Sequence, residues 1–198
     1  GAIGDDLVAP SDQPKYQAWI RAHFGEQLTT LGLPGGAKDD DDTQTRRATL
    51  LELVGVTGND PEVQKRSREL VAQYLKDSRS LPATLAPVVL EVGALDGDRA
   101  LYDQYVAKLG ALAAQPEEYY RFFNALSWFK DPALSKRTLE YALSPAVRTQ
   151  DTGTLIGSMM LKPWSQDLTW EFVKTNWQTI VKNLGEFQGI PSIVESTS

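Results

Sequence analysis

The chain has 198 residues, 41% hydrophobic and 23% charged, with a net charge of −6, one histidine and no cysteine. That length supports one large core or a short array of repeats, and the composition is ordinary for a soluble globular protein. The missing cysteine excludes disulfides, thiol catalysis and thiolate metal sites, and the single His23 excludes a two-histidine zinc site within the chain. The acidic balance runs against a nucleic-acid partner, and no apolar run is long enough to span a membrane.

Proline and acidic or hydroxyl residues punctuate the sequence at helix-start spacing, while no segment alternates apolar and polar residues for long enough to read as a strand. "NDPEV" offers Asp60 as N-cap and Pro61 at the first helical position, and "KDPAL" repeats the device with Asp131 and Pro132. Helices are expected over about 14–32, 43–57, 60–76, 82–95, 98–114, 116–129, 131–143, 149–161 and 164–184. Pro87 falls inside the fourth, which must either kink there or begin near it. From residue 43 the helices pair, with pair starts about 33 to 39 residues apart, the range of two-helix repeat units. The expected fold is all-α: antiparallel helix pairs stacked as a HEAT- or armadillo-like α-solenoid of about nine helices. It comprises a leading helix (14–32), an acidic loop (33–42), stacked pairs (43–184) and a tail (185–198) expected to be truncated, all within one partial domain.

Candidate chemistry is sparse. Asp39 to Asp42 form an acidic run, but a calcium loop alternates its ligands and needs a turn glycine and a late glutamate; a solvated loop leading into the next helix fits better. His23, between Ala22 and Phe24, is expected to pack or to face solvent. No G-x-S-x-G elbow, phosphate loop or HExxH is present, so no catalytic residue and no metal ligand is assigned. The aromatic-rich "PEEYYRFFNALSWF" (116–129) spreads its rings around most of a helix, as expected of one buried between layers. In "WEFVKTNW", at about 100° per residue, Trp170, Val173, Trp177, Ile180, Val181 and Leu184 share an arc of about 100°. They read as the buried stripe of one helix, with both tryptophans as anchors. Phe172, on roughly the opposite face, reads as a contact to the next layer.

These segments also carry a likeness. "LTWEFVKTNW" (168–177) resembles the W-[DE]-F-[VL]-x-x-N-W segment in the C-terminal helical domain of M1-family zinc aminopeptidases, the ERAP1-like C-terminal domain. "TRRATLLELVGVTGNDPEVQKRSRELVAQYL" (45–75) is similar to that domain's helix pair joined through a G-D-P-E-type turn. "LSWFKDPALSKRTLEYALS" (126–144) resembles another of its pairs, and "VRTQD" (147–151) matches its hydrophobic-[RK]-x-Q-[DN] turn. The four stand in the family's order across nearly the whole chain. Pro87 and the extra tryptophan in "GSMMLKPWSQ" (157–166) depart from the family pattern.

The resemblance implies a non-catalytic helical bowl that covers the active-site chamber of a zinc aminopeptidase and helps enclose its peptide substrate. It implies zinc in the parent enzyme, none in this chain, and the catalytic domain of the same polypeptide as partner. The family's HExxH, its downstream glutamate, its GxMEN segment and its catalytic tyrosine map to nothing here, so the chain is expected to be an excised piece of a larger enzyme. The alternative is a free-standing helical-repeat scaffold that binds a protein partner. In "VRTQD", Asp151 is expected to cap the following helix and Gln150 to bond nearby backbone, bracing the turn. Arg148, which bracing does not need, is the candidate for a substrate carboxylate, because its planar fork suits that group. The cellular compartment is left open.

Overall fold

The computed structural model describes residues 8–36 and 38–188, with side chains described as far as residue 182. Nine α-helices and no strand occur among the described residues, in keeping with the α-solenoid expectation. The chain divides into two compact units after Leu95.

In the first unit, α1 (Gln13–Leu31) is followed by α2 (Asp41–Glu52), which continues through one π-helical turn, Leu53–Thr57. α3 (Pro61–Tyr74) and α4 (Ala86–Ala94) complete it. The start of α3 follows from three adjacent letters. Asn59 takes a left-handed φ of 46°, which asparagine tolerates better than most residues. Asp60 then accepts the backbone N–H groups of Glu62 and Val63, both at 3.0 Å, and Pro61 occupies a position whose donor is not needed. Buried Gln64 secures the same turn, donating to the Gly55 carbonyl at 2.9 Å and to Asn59 Oδ1 at 3.0 Å. α4 starts at Ala86 rather than 82, because Pro87 is accommodated in its first turn instead of kinking its interior. α3 and α4 approach closely: a Cβ on Gly93 would stand 2.8 Å from Val71 Cγ2. Leu51, Val54, Leu70, Val71, Val89 and Leu90 form the dry centre of this unit.

The acidic run is not simply a solvated loop. Asp40 caps α2, accepting from Thr43 N at 2.8 Å, and Asp41 and Asp42 lie in the first turn of α2, where negative charge meets the positive end of the helix dipole. The hydrogen bonds from Thr43 hold the Asp40 carboxyl below its ordinary value. Asp39 instead faces Arg47, which is only 2% exposed. Arg47 donates to Asp39 Oδ2 at 2.5 Å, to the Gly32 carbonyl at 2.9 Å and to the Leu31 carbonyl at 3.1 Å. Those carbonyls lie at and just beyond the end of α1, so one guanidinium closes that helix and folds the loop back on α2. Gly35, at φ 97°, passes so close that a Cβ would stand 2.2 Å from Arg47 Cζ.

The second unit holds α5 (Arg99–Ala111), α6 (Pro116–Ala125), α7 (Pro132–Ala142), α8 (Thr149–Met160) and α9 (Gln166–Gln188). The α-helical part of α6 ends at Ala125, and a 3₁₀ turn, Leu126–Trp128, carries it to within one residue of the expected end at 129. Asp131 caps α7, accepting from Ala133 N at 2.7 Å and Leu134 N at 3.1 Å. α5 packs on α6, α7 on α8 and α8 on α9, while α7 also touches α9. The core is aromatic, as the composition of 116–129 implies. Phe129 meets Tyr102 and Tyr105 edge-on, with centroids 5.1 and 5.5 Å apart, and Tyr105 meets Phe122 the same way at 5.3 Å, the geometry favoured by the ring quadrupoles.

The buried-stripe reading of α9 requires correction. Trp170 is 46% and Trp177 41% exposed. The face turned inward carries Thr169, Val173 and Ile180, each 2% exposed or less. At about 100° per residue that face lies roughly 50° from the centre of the expected arc. A polar letter made the difference: Thr169 is buried because its hydroxyl donates to the Ser165 carbonyl at 2.7 Å, so it enters the core without an unmet donor. Phe172 is half-buried. Leu184 lies outside the described side chains, and residues 189–198 of the expected tail lie outside the described residues.

Candidate functional site

The "VRTQD" turn joins α7 to α8 and is built from the inside out. Val147 is buried, and buried Thr152 donates its hydroxyl to the Ala142 carbonyl at 2.9 Å, tying the first turn of α8 to the end of α7. Asp151 is 7% exposed. It does not cap α8; the N-cap position belongs to Arg148, whose backbone is extended (φ −66°, ψ 142°) and whose side chain makes no capping bond. The Asp151 carboxylate instead accepts the hydroxyl of Tyr120 from α6, at 3.1 Å to Oδ1 and 3.2 Å to Oδ2. Bracing of the turn thus falls to Asp151, Thr152 and Val147. Gln150 is an exposed residue of the first turn.

Arg148 is exposed, and its guanidinium has no ion-pair partner among the described residues. It lies within electrostatic range of Tyr119. Burial raises the Tyr119 phenol above its ordinary value, with Tyr141, Asp151 and Tyr120 pushing the same way and Arg148 opposing them. Tyr119 stacks on Phe123, with centroids 5.6 Å apart and planes 17° from parallel. Among the described residues Arg148 is therefore a cation without an ion-pair partner near the Tyr119 phenol. Such a corner can attract an anionic group and donate paired hydrogen bonds to a carboxylate. It contains no nucleophile paired with a base.

Among the described residues no three histidine, aspartate or glutamate side chains gather in a group suited to a metal ion. His23 is exposed, donates Nδ1–H to the Trp19 carbonyl at 2.8 Å and lies against the Trp19 ring at 4.3 Å. No described helix is long and apolar enough to cross a membrane.

Three features escaped the sequence reading. Arg47 carries a charge that pattern reading assigns to the surface, Asp151 reads as a helix cap rather than a buried carboxylate, and Tyr120 is absorbed into an aromatic helix expected to be core. The close spacing of glycines in "LGLPGG" was the available signal that a bulky group needed room there.

Among the described residues the helices pack in pairs, and Arg148 stands without an ion-pair partner at the turn between α7 and α8. Residues 2–198 match the family model of the ERAP1-like C-terminal domain, and the chain belongs to that family. It is 31% identical over 159 residues to endoplasmic reticulum aminopeptidase 2 of Bos taurus, covering 77% of this chain and 16% of that protein. It is 26% identical to the mitochondrial aminopeptidase 2 of Saccharomyces cerevisiae, covering 87% and 18%. With aminopeptidase N of Lactococcus lactis the identity is 24%, covering 90% and 21%. The chain thus spans between a sixth and about a fifth of the length of these relatives.

Proposed function

We propose that this chain is the non-catalytic helical part of a zinc-dependent M1 aminopeptidase, covering the active-site chamber and helping to enclose the peptide substrate. The supporting observation is the family match along residues 2–198 together with relatives that are aminopeptidases several times longer than the chain. The hydrolytic chemistry belongs to residues outside this chain. Within the chain, Arg148 is the residue proposed to meet substrate, holding the carboxylate at the far end of a peptide whose N-terminus lies in the catalytic domain. Its exposure, its lack of an ion-pair partner and the independent bracing of its turn support that role.

The experiment belongs in the full-length enzyme. Arg148→Ala is expected to lower kcat/KM for peptides with a free C-terminal carboxylate by about tenfold or more and to leave short aminoacyl-anilides nearly unchanged. Equal loss on both substrates, or a lower Tm without kinetic selectivity, returns Arg148 to a structural role. A parent reading frame without an upstream HExxH and GxMEN segment would favour the scaffold reading instead.

A further inference from the structure

A groove of about 540 Å³ opens between α7 and α9. Leu143, Leu168 and Phe172, all half-buried, give it an apolar lining. Its side-chain polar atoms are mostly acceptors, with the Lys136 ammonium and the Asn176 amide as its donors. Glu140 and Glu171 bring two exposed carboxylates to the rim. Asn176 donates one Nδ2–H to the Phe172 carbonyl at 2.9 Å, which leaves its other N–H to donate and its Oδ1 to accept. The Thr175 hydroxyl already donates to the Glu171 carbonyl at 2.8 Å, so it offers only lone pairs.

One lining ammonium opposes this pattern. Lys136 Nζ lies 3.9 Å from Glu140 Oε1, a long contact between two exposed side chains that contributes little. Beside the groove, Lys174 holds Glu171 Oε1 at 2.6 Å. Each carboxylate keeps its second oxygen for another donor.

We propose that this groove binds a peptide segment through an arginine or lysine side chain, its aliphatic stem on Leu143, Leu168 and Phe172 and its cationic head between Glu140 and Glu171. A long cationic side chain meets both demands of the site, because it is apolar along its length and a donor only at its end. An aliphatic side chain would cover the apolar lining but take acceptors out of water without partners. An acidic side chain would meet two like charges. Arginine is preferred over lysine, since its planar fork can serve two carboxylates at once. The assignment stands apart from the peptidase reading, because it concerns recognition by this chain alone.

The test is methyl and side-chain amide NMR of this chain, following Leu143, Leu168 and Asn176 during titration with acetyl-Ala-Leu-Arg-Leu-Ala-amide. Peptides carrying norleucine or glutamate in place of arginine serve as comparisons. The arginine peptide is expected to shift these signals saturably, with a Kd about five- to tenfold lower than the norleucine peptide, and the glutamate peptide to leave them in place. The double variant Glu140→Gln, Glu171→Gln is expected to erase the preference for arginine while keeping the wild-type Tm within a few degrees. Equal affinity for the arginine and norleucine peptides overturns the proposal, as does an arginine preference that survives in the double variant. Absence of any shift at the three reporters overturns it as well.

Discussion

Thr169 and Trp170 are neighbours in sequence and opposites in environment: the threonine is fully buried and the tryptophan 46% exposed. The orientation of α9 is therefore set by Thr169, Val173 and Ile180, not by its largest side chains. Ile180→Ala is expected to cost about 2–5 kcal/mol, as a deletion in a closed core does. Trp177→Ala, at a position 41% exposed, is expected to cost about 1 kcal/mol or less. Urea melts of the two variants check this, and a larger loss for the tryptophan would turn the helix back by half a face.

The guanidinium of Arg47 satisfies carbonyls at the end of α1 and a carboxylate of the acidic run at once. Arg47→Ala removes the shared donor of two half-buried carbonyls and of Asp39, which keeps the Gly36 N–H, and is expected to destabilise the chain by about 1–3 kcal/mol. Asp39→Asn keeps a hydrogen-bond acceptor and removes one charge, so a smaller loss is expected. Guanidinium or thermal unfolding at fixed pH distinguishes the two.

Gly35 offers an independent check on the same corner. Its φ of 97° disfavours any side chain, and the space a Cβ needs is already occupied by Arg47. Gly35→Ala is expected to cost at least about 1–3 kcal/mol. In an Arg47→Ala background the steric part disappears, so the added cost of the glycine substitution should shrink. Double-mutant melts measure that coupling.

Burial raises the Tyr102 phenol above its ordinary value of 10.0, with the hydrogen bond from Thr138 and the Arg137 charge pulling the other way. The unfolded chain releases this proton near pH 10, and the folded chain only at higher pH. Between those values the folded state binds more protons, so the stability contribution falls as pH rises above about 10. Tyr102→Phe removes the titrating group and is expected to flatten the decline of Tm between about pH 9.5 and 11. The same slope in wild type and variant would mean that the phenol is not the source.

Helix starts were legible where proline and aspartate coincide: Asp60 with Pro61 and Asp131 with Pro132 cap as their spacing implies. The signal is local, needing only the backbone donors two and three residues ahead. What was not legible is the burial of polar groups. A periodicity argument weights residues by apolarity, so it draws the inward face of α9 toward two tryptophans and passes over Thr169. For the same reason the burial of Arg47 is missed, and Asp151 reads as a helix cap rather than as a buried partner of Tyr120. Their burial depends on partners 8 to 31 residues away, Asp39 and Tyr120, and no short window contains both members of either pair. At the "VRTQD" turn, the sequence picked out Arg148 as the residue without a bracing task, while the division of labour among its neighbours needed tertiary structure.

That division has a consequence for how the turn can vary. Its shape is fixed by the Tyr120 hydroxyl on Asp151 and by the Thr152 hydroxyl on the Ala142 carbonyl, whereas its exposed charge is carried by Arg148. Form and polarity are thus encoded by separate letters. Position 148 can pass through lysine, glutamine or glutamate while the bend beneath it keeps its course, which makes it a dial on which selection, or an experimenter, can set the electrical character of this corner independently of its architecture.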